Sequence, residues 1–202
     1  VYQMEVPHNS ILAREAKATG VPTPIPTWAT KRARVDYAFR EFEKCGYVVS
    51  STTTVYKPKN HKGFYYRDAL WHGADMIGMG VASFSHLSGV HFQNADSWED
   101  YVGALQRGEL PIARALPMTD RQRLIRELIL QLKLGRIEMD YFRTKFGDDV
   151  REVFSDAVGS LTSEGLADVS ADELRLSREG LLRVDSLLPR FFEPQFRNIR
   201  FT

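Results

Sequence analysis

Gly78 and Gly80 lie in the run Asp75-Met76-Ile77-Gly78-Met79-Gly80-Val81, after a strand-like apolar stretch. Two glycines at i and i+2 carry no Cβ, so main-chain N–H and C=O groups can meet a phosphate or a planar ligand closely. The same pair also suits a bulge or a packing contact. No third glycine and no helix start complete a dinucleotide fingerprint, so spacing leaves both readings open. Just upstream, Tyr65, Tyr66, Arg67, Trp71 and His72 form a dense polar and aromatic cluster. Rings beside a guanidinium either line a pocket for a flat anionic ligand or pin a loop with buried side chains.

The five histidines, His8, His61, His72, His86 and His91, form no HExxH motif. The step from His86 to His91 does not keep both on one helical face, so no metal site is expected. His86 falls in a strand pattern and reads as a hydrogen-bonded, partly buried residue. The one cysteine, Cys45, excludes an internal disulfide and any zinc or iron–sulfur site built from several thiolates of this chain. Its apolar neighbours at helical spacing make it a core thiol.

The chain has 202 residues, with 27 Lys and Arg against 26 Asp and Glu, a formal net charge of +1. That balance gives no global attraction to nucleic acid or anionic lipid. No run approaches the ~20 apolar residues that span a bilayer, and the N-terminus lacks a signal-peptide pattern. The chain begins on Val1, not Met, and opens directly into a strand-like run, so an N-terminal portion of a longer protein is expected to precede it.

Elements must position these residues. Residues 1–6 read as a strand stopped by Pro7. Alternate prolines at Pro22, Pro24 and Pro26 exclude a helix there. Thr30 caps a helix whose Val35, Ala38, Phe39, Phe42 and Cys45 share a face, closed by Gly46. Residues 47–56 are rich in Val, Ser and Thr and read as one strand. Residues 84–87 and 90–93 flank Ser88-Gly89, a hairpin turn. Ser97 starts a helix that Gly108 ends.

The character changes after Pro111. Thr119 and Gln122 cap an amphipathic helix bearing Leu124, Ile125, Leu128, Ile129 and Leu132, which ends near Gly135. Helices over 139–146 and 149–164, a hairpin over 166–176 and a last helix over 177–188 complete a winged-helix outline. Its third helix carries one basic residue, Arg151, against Asp149, Glu152, Asp156 and Glu164. That is the wrong electrostatics for phosphate, so no nucleic-acid partner is expected.

The run from Asp75 to Ser85 resembles the acidic residue and "LGxGxxAxS"-like strand of the radical S-adenosylmethionine family typified by oxygen-independent coproporphyrinogen III oxidase. Other pieces agree in order. Val1-Tyr2-Gln3-Met4-Glu5 with Pro7 is similar to a late barrel strand. Gly46-Tyr47 followed by Tyr56-Lys57-Pro58 is similar to a "GY…ARP" segment. Leu70-Trp71-His72-Gly73-Ala74-Asp75 looks like the "YWrGgDy" variant of heme-chaperone-like members. Glu164-Gly165-Leu166 and Ser177-Arg178-Glu179-Gly180-Leu181-Leu182 look like the family's C-terminal domain.

The resemblance implies an α/β fold: residues 1–110 as the C-terminal strands of a partial β/α barrel, and 115–202 as a helical, winged-helix-like cap. It implies S-adenosyl-L-methionine and a [4Fe-4S] cluster in the parent protein, with the cluster cysteines outside this chain, which alone would be inactive. Carried over by position, Glu5, Val6, Gly78, Gly80 and Phe84 would meet the cofactor. Tyr66, Arg67 and Trp71 would meet a tetrapyrrole substrate or heme. No catalytic residue is assigned. The implied reaction is oxidative decarboxylation of propionates to vinyls, in a cytoplasmic enzyme served by an electron donor. A heme chaperone, a radical methylase and a heme-opening enzyme share the same frame.

Overall fold

The computed structural model describes residues 1–3, 6–7, 10–21, 25–59 and 64–197. In chain order the elements are α1 (Ile11–Thr19), α2 (Trp28–Lys44), β1 (Val48–Val49), β2 (Val55–Tyr56), α3 (Tyr65–Trp71), β3 (Phe84–Leu87), β4 (Val90–Asn94), α4 (Trp98–Gln106) and β5 (Ile112–Pro117). They continue with α5 (Asp120–Leu132), β6 (Arg136–Glu138), α6 (Met139–Phe146), α7 (Val150–Val153), α8 (Ser155–Ser163), β7 (Ala167–Val169), β8 (Glu173–Leu176), α9 (Arg178–Leu182) and α10 (Val184–Leu187). Two compact units interleave in sequence. The first takes Val1–Gly63, Leu132–Met139 and Asp149–Thr202; the second takes Phe64–Gln131 and Asp140–Asp148.

In the first unit, Val35 and Phe39 of α2 pack with Leu182, and Val1, Val49 and Val55 cover them. The helix begins earlier than expected, because the Thr27 hydroxyl accepts from the Thr30 amide and so caps α2. Its apolar stripe is buried only as far as Phe39. Phe42 and Cys45 are exposed, so Cys45 is a surface thiol at the C-cap and not a core one. Arg178 lies over the Phe39 ring, 5.0 Å from its centroid, and pairs with Asp36 and Glu43.

The strand expected over 47–56 is a hairpin, with Val49 opposite Val55. Local hydroxyl chemistry bends it. Buried Ser51 accepts from the Thr53 amide through its Oγ, and the Ser50 amide donates to the Thr54 carbonyl. A second sheet of this unit has the antiparallel order β6-β8-β7, with Ile137 and Leu174 buried. The helix expected over 149–164 breaks into α7 and α8 at Phe154, whose ring is buried edge-on against Phe191 at 5.5 Å.

The second unit is built on the antiparallel sheet β3-β4-β5. The Ser88-Gly89 hairpin is as expected, and β5 is an unanticipated third strand. All six residues of β5 are exposed, so no buried-exposed alternation marks it in the sequence. Thr119 and Gln122 form the reciprocal capping box of α5: each side chain accepts from the other's amide. Leu124, Ile125 and Leu128 of α5 and Phe142 of α6 are buried.

The barrel resemblance implies that residues 1–6, 48–55 and 76–81 share one sheet, and the described residues do not pair that way. Met4 and Glu5 lie outside the described residues, and residues 1–3 and 6 form no strand. Residues 48–56 close on themselves, and within 76–81 Met76 makes a single antiparallel bridge, to His86. Beyond Met76, side chains rather than a neighbouring strand satisfy the glycine segment, as its geometry shows below.

Candidate functional site

The glycine segment is a loop held from within the second unit. The Gly78 amide donates to Ser85 Oγ at 3.0 Å, and the Gly80 amide donates to the Tyr101 hydroxyl at 3.0 Å. Buried Asn94 donates through Nδ2 to both carbonyls, at 3.1 Å for Gly78 and 3.0 Å for Gly80. Gln93 Nε2 fixes the Ala82 carbonyl at 3.0 Å, and Ser83 Oγ donates to the Met79 carbonyl at 2.8 Å. A β-bulge between Gln93 and Asn94 lets these two neighbours both reach the loop.

Each glycine has a local reason. A Cβ at Gly78 would overlap the Phe84 carbonyl oxygen, while Gly80 sits at φ +104°, where side chains are strained. The amides of both are engaged within the chain, so neither is free for a phosphate or an adenine edge. What the loop presents outward is apolar: Ile77, Met79 at 88% exposure, and Phe84 at 50%.

The aromatic cluster divides. Tyr65 and Tyr66 are exposed, and the Tyr66 hydroxyl reaches the Met76 sulfur at 3.3 Å, which ties α3 to the start of the glycine loop. Arg67 is buried at 8% exposure, pairs with Asp68 and stacks over Trp71 at 5.2 Å. It therefore fixes α3 rather than offering a charge to a ligand. The Trp71 carbonyl accepts from Gln131 at 3.3 Å. Tyr66 thus lies beside the glycine loop, whereas Arg67 points into the α3 packing. Val6 belongs to the first unit, and Glu5 lies outside the described residues.

A third group gathers on the sheet. Directly opposed residues of antiparallel strands share a face. The register Phe84↔Gln93, His86↔His91, His91↔Leu116 and Gln93↔Arg114 puts these six on one face. The Phe84 and His91 rings stack at 5.5 Å with an 11° interplanar angle, and His86 lies 6.3 Å from His91. Arg114 donates through Nε to Gln93 Oε1 at 2.7 Å. His86 is only 4% exposed, yet its Nδ1 makes no hydrogen bond, and neither do His91 Nδ1 and Arg126 Nη1. Burial, then the Arg126 charge, holds both imidazoles below the ordinary histidine value; burial also lowers Arg126.

His86 is thus buried as expected but not satisfied at Nδ1. His91, Arg114 and Arg126 were not singled out from the sequence. Once the turn is placed at Ser88-Gly89, pairing alone brings His91 opposite His86, so that contact was available in the sequence. Nothing local announces Arg126, on α5.

Among the described residues no group of three or more His, Cys, Asp or Glu is placed to hold a metal ion. A [4Fe-4S] cluster takes several thiolates, and the one exposed cysteine of this chain does not fit it. No helix of the described residues is long and apolar enough to cross a membrane.

Comparison with known proteins is consistent with the resemblance carried by the motifs. Residues 118–183 match the HemN C-terminal domain. The chain is 30% identical over 139 residues to the oxygen-independent coproporphyrinogen III oxidase of Pseudomonas aeruginosa, covering 65% of this chain and 30% of that protein. It is 26% identical over 126 residues to the enzyme of the same name from Synechocystis, covering 58% of this chain and 27% of that protein. The matched stretch therefore spans less than a third of either relative. Among solved structures, the Escherichia coli coproporphyrinogen III oxidase HemN, a radical SAM enzyme, superposes with a TM-score of 0.67 at 17% identity. That likeness covers 89% of this chain and 44% of the solved one, and it shows a shared mixed α/β fold.

Proposed function

We propose that this chain is the C-terminal part of a radical S-adenosylmethionine enzyme acting on tetrapyrroles, of the oxygen-independent coproporphyrinogen III oxidase kind. The observation that carries the reading is the similarity over 139 residues to a protein of that name, which runs well beyond the 118–183 match to the C-terminal domain. In this reading residues 1–110 close the barrel side of the enzyme and 115–202 form its winged-helix-like cap, in a cytoplasmic protein served by an electron donor. When bound, S-adenosylmethionine and a [4Fe-4S] cluster supply hydrogen-atom abstraction. The cluster thiolates come from outside this chain, which by itself is inactive.

The part left to these residues is binding and water exclusion. The amides of Gly78 and Gly80 are engaged, so contact with a cofactor at this loop runs through Ile77, Met79 and the Phe84 ring. Tyr66, held at Met76, is the member of the aromatic cluster placed to reach a ligand beside the loop. Arg67 and Trp71 hold α3 behind it. Glu5 and Val6 stay in the proposal by motif position alone.

The test is an anaerobic assay of the full-length, cluster-loaded protein with coproporphyrinogen III. Release of CO2 together with 5′-deoxyadenosine supports the reading. Deoxyadenosine without CO2 overturns the decarboxylase assignment in favour of a radical methylase or heme-opening enzyme. Heme binding and transfer with no turnover marks a heme chaperone.

A further inference from the structure

The second unit carries buried nitrogens, two of them on one face of the β3-β4-β5 sheet, that have no hydrogen-bond partner among the described residues. His86, His91 and Arg126 each place a buried nitrogen with no hydrogen-bond partner on the second unit, and none of the three belongs to an ion pair among the described residues. A native interior seldom leaves such groups unpaired, because the water they lose is not replaced. Three in one neighbourhood point to an acceptor that comes from elsewhere.

The same face has a place to put it. Phe84, His91, Arg114 and Leu116 line a pocket of about 160 Å³. At roughly 30 Å³ per water-sized group, that is room for about five heavy atoms. A carboxylate on a short methylene arm is of that size. The stacked Phe84 and His91 rings give the arm an apolar wall, and Arg114, braced on Gln93, gives the mouth a guanidinium. Arg126, on α5, is half-buried and its charge is felt at both imidazoles. A guanidinium favours a carboxylate over other acceptors because its fork matches the two oxygens.

We propose that this face is a carboxylate-binding subsite, in which His91 and Arg114 receive the carboxylate, Phe84 and Leu116 flank its arm, and His86 lies beside His91. The inference stands on this chain's own donors. It deepens the functional reading above, on which the choice of ligand rests, and which used only the Phe84 ring of this face. Two ligands of that reading carry the chemistry: the propionate of a tetrapyrrole and the amino-acid carboxylate of S-adenosylmethionine.

The experiment titrates the 202-residue chain with coproporphyrin III, with its tetramethyl ester, and with S-adenosylmethionine, and follows the imidazole ¹⁵N resonances of His86 and His91. The expected result is binding of coproporphyrin III with movement of both imidazoles, no movement with the ester, and a Kd at least tenfold weaker in Arg114→Met. Arg114 is exposed, so Arg114→Met keeps the fold, and Arg126→Leu should weaken binding severalfold through its charge alone. Movement with S-adenosylmethionine and not with the porphyrin supports the subsite while removing the tetrapyrrole as its source. Equal response to acid and ester, no imidazole shift with either ligand, or an unchanged Kd in both arginine variants overturns the proposal.

Discussion

Lys145 Nζ lies 2.9 Å from each carboxylate oxygen of Glu127, and Glu127 is almost wholly buried while Lys145 is a third exposed. The same ammonium donates to the His72 carbonyl at 3.0 Å, and the Tyr141 hydroxyl has both Glu127 and that carbonyl within reach of its one proton. The pair therefore ties α5 and α6 to the residue that ends α3. Gly73, at φ +81°, has no Cβ because one would overlap the Glu127 carboxylate. The latch holds His72, the residue after Trp71, and so fixes the C-terminal end of the helix that carries the aromatic cluster.

Removing one partner of the latch should cost more than its surface position suggests. Lys145→Met leaves a buried carboxylate with Tyr141 as its remaining side-chain donor, and a loss of about 2–3 kcal/mol is expected. Tyr141→Phe keeps the ion pair and should lose about 1–2 kcal/mol. Urea unfolding midpoints measure both. Equal and near-zero effects would mean that the cluster is solvated in solution.

Acid should destabilise the second unit through its imidazoles. Burial first, and then Arg126, holds His86 and His91 below their ordinary value of 6.5. His91 also lowers His86, and Asp75 and Glu127 oppose that only in part. Below pH 6.5 the unfolded chain then binds more protons than the folded one, so stability falls as pH drops from 6.5 toward the depressed folded values. Asp36 and Glu164 are held below the usual carboxylate range by hydrogen bonds from Arg178 and Arg190, so their contribution fades at lower pH. Melting temperatures between pH 7.5 and 5 should fall in the wild type and fall less steeply in His86→Gln/His91→Gln. A parallel slope in the double variant would place the proton uptake elsewhere.

Gly180 carries a sharper steric demand. A Cβ there would overlap the Leu166 backbone carbonyl, and the Gly180 amide donates to Ser177 Oγ at 3.1 Å in the cap of α9. Backbone cannot yield as a side-chain tip can, so Gly180→Ala should lose about 2–3 kcal/mol, although alanine is the better helix former. Ser177→Ala should lose about 1 kcal/mol. Thermal unfolding ranks the two, and a stabilised Gly180→Ala would contradict the close approach.

What the sequence made legible was local. The Thr119–Gln122 box, the Ser97 cap and the Ser88-Gly89 turn stand where residue chemistry puts them, because each depends on neighbours within a few positions. What it hid was set by distant partners. Residues 47–56 look like a single strand until Thr52 is seen to donate to the Lys133 carbonyl and, through Oγ1, to the Leu181 carbonyl, bonds that hold the hairpin turn in place. Cys45 looks buried by spacing, but the packing against α2 stops at Phe39. At the site, glycines and aromatics were visible as types. That Asn94, Tyr101 and Ser85 use up the glycine amides and carbonyls, and that Arg67 turns inward to Asp68, depends on the β-bulge and on α3 packing.

Gly78 and Gly80 are restrained differently, and that difference separates structure from ligand contact. Gly78→Ala must displace the Phe84 carbonyl of β3 and should lose about 2–3 kcal/mol. At Gly80 a Cβ would meet only Ser83 Oγ at 3.6 Å, so Gly80→Ala is charged mainly for its positive φ, about 1–2 kcal/mol. Neither amide is free, whereas Met79 between them is exposed and its truncation should cost little stability. If S-adenosylmethionine lies against this loop in the full-length protein, the contact is with side chains. Calorimetric titration of the cluster-loaded enzyme should then show Met79→Ala weakening S-adenosylmethionine about tenfold, near 1.4 kcal/mol, with Gly80→Ala weakening it less. The reverse order would restore main-chain contact at the glycines and would require Tyr101 or Asn94 to release them on binding. No change in either variant would leave the glycine pair with the structural role its hydrogen bonds already explain.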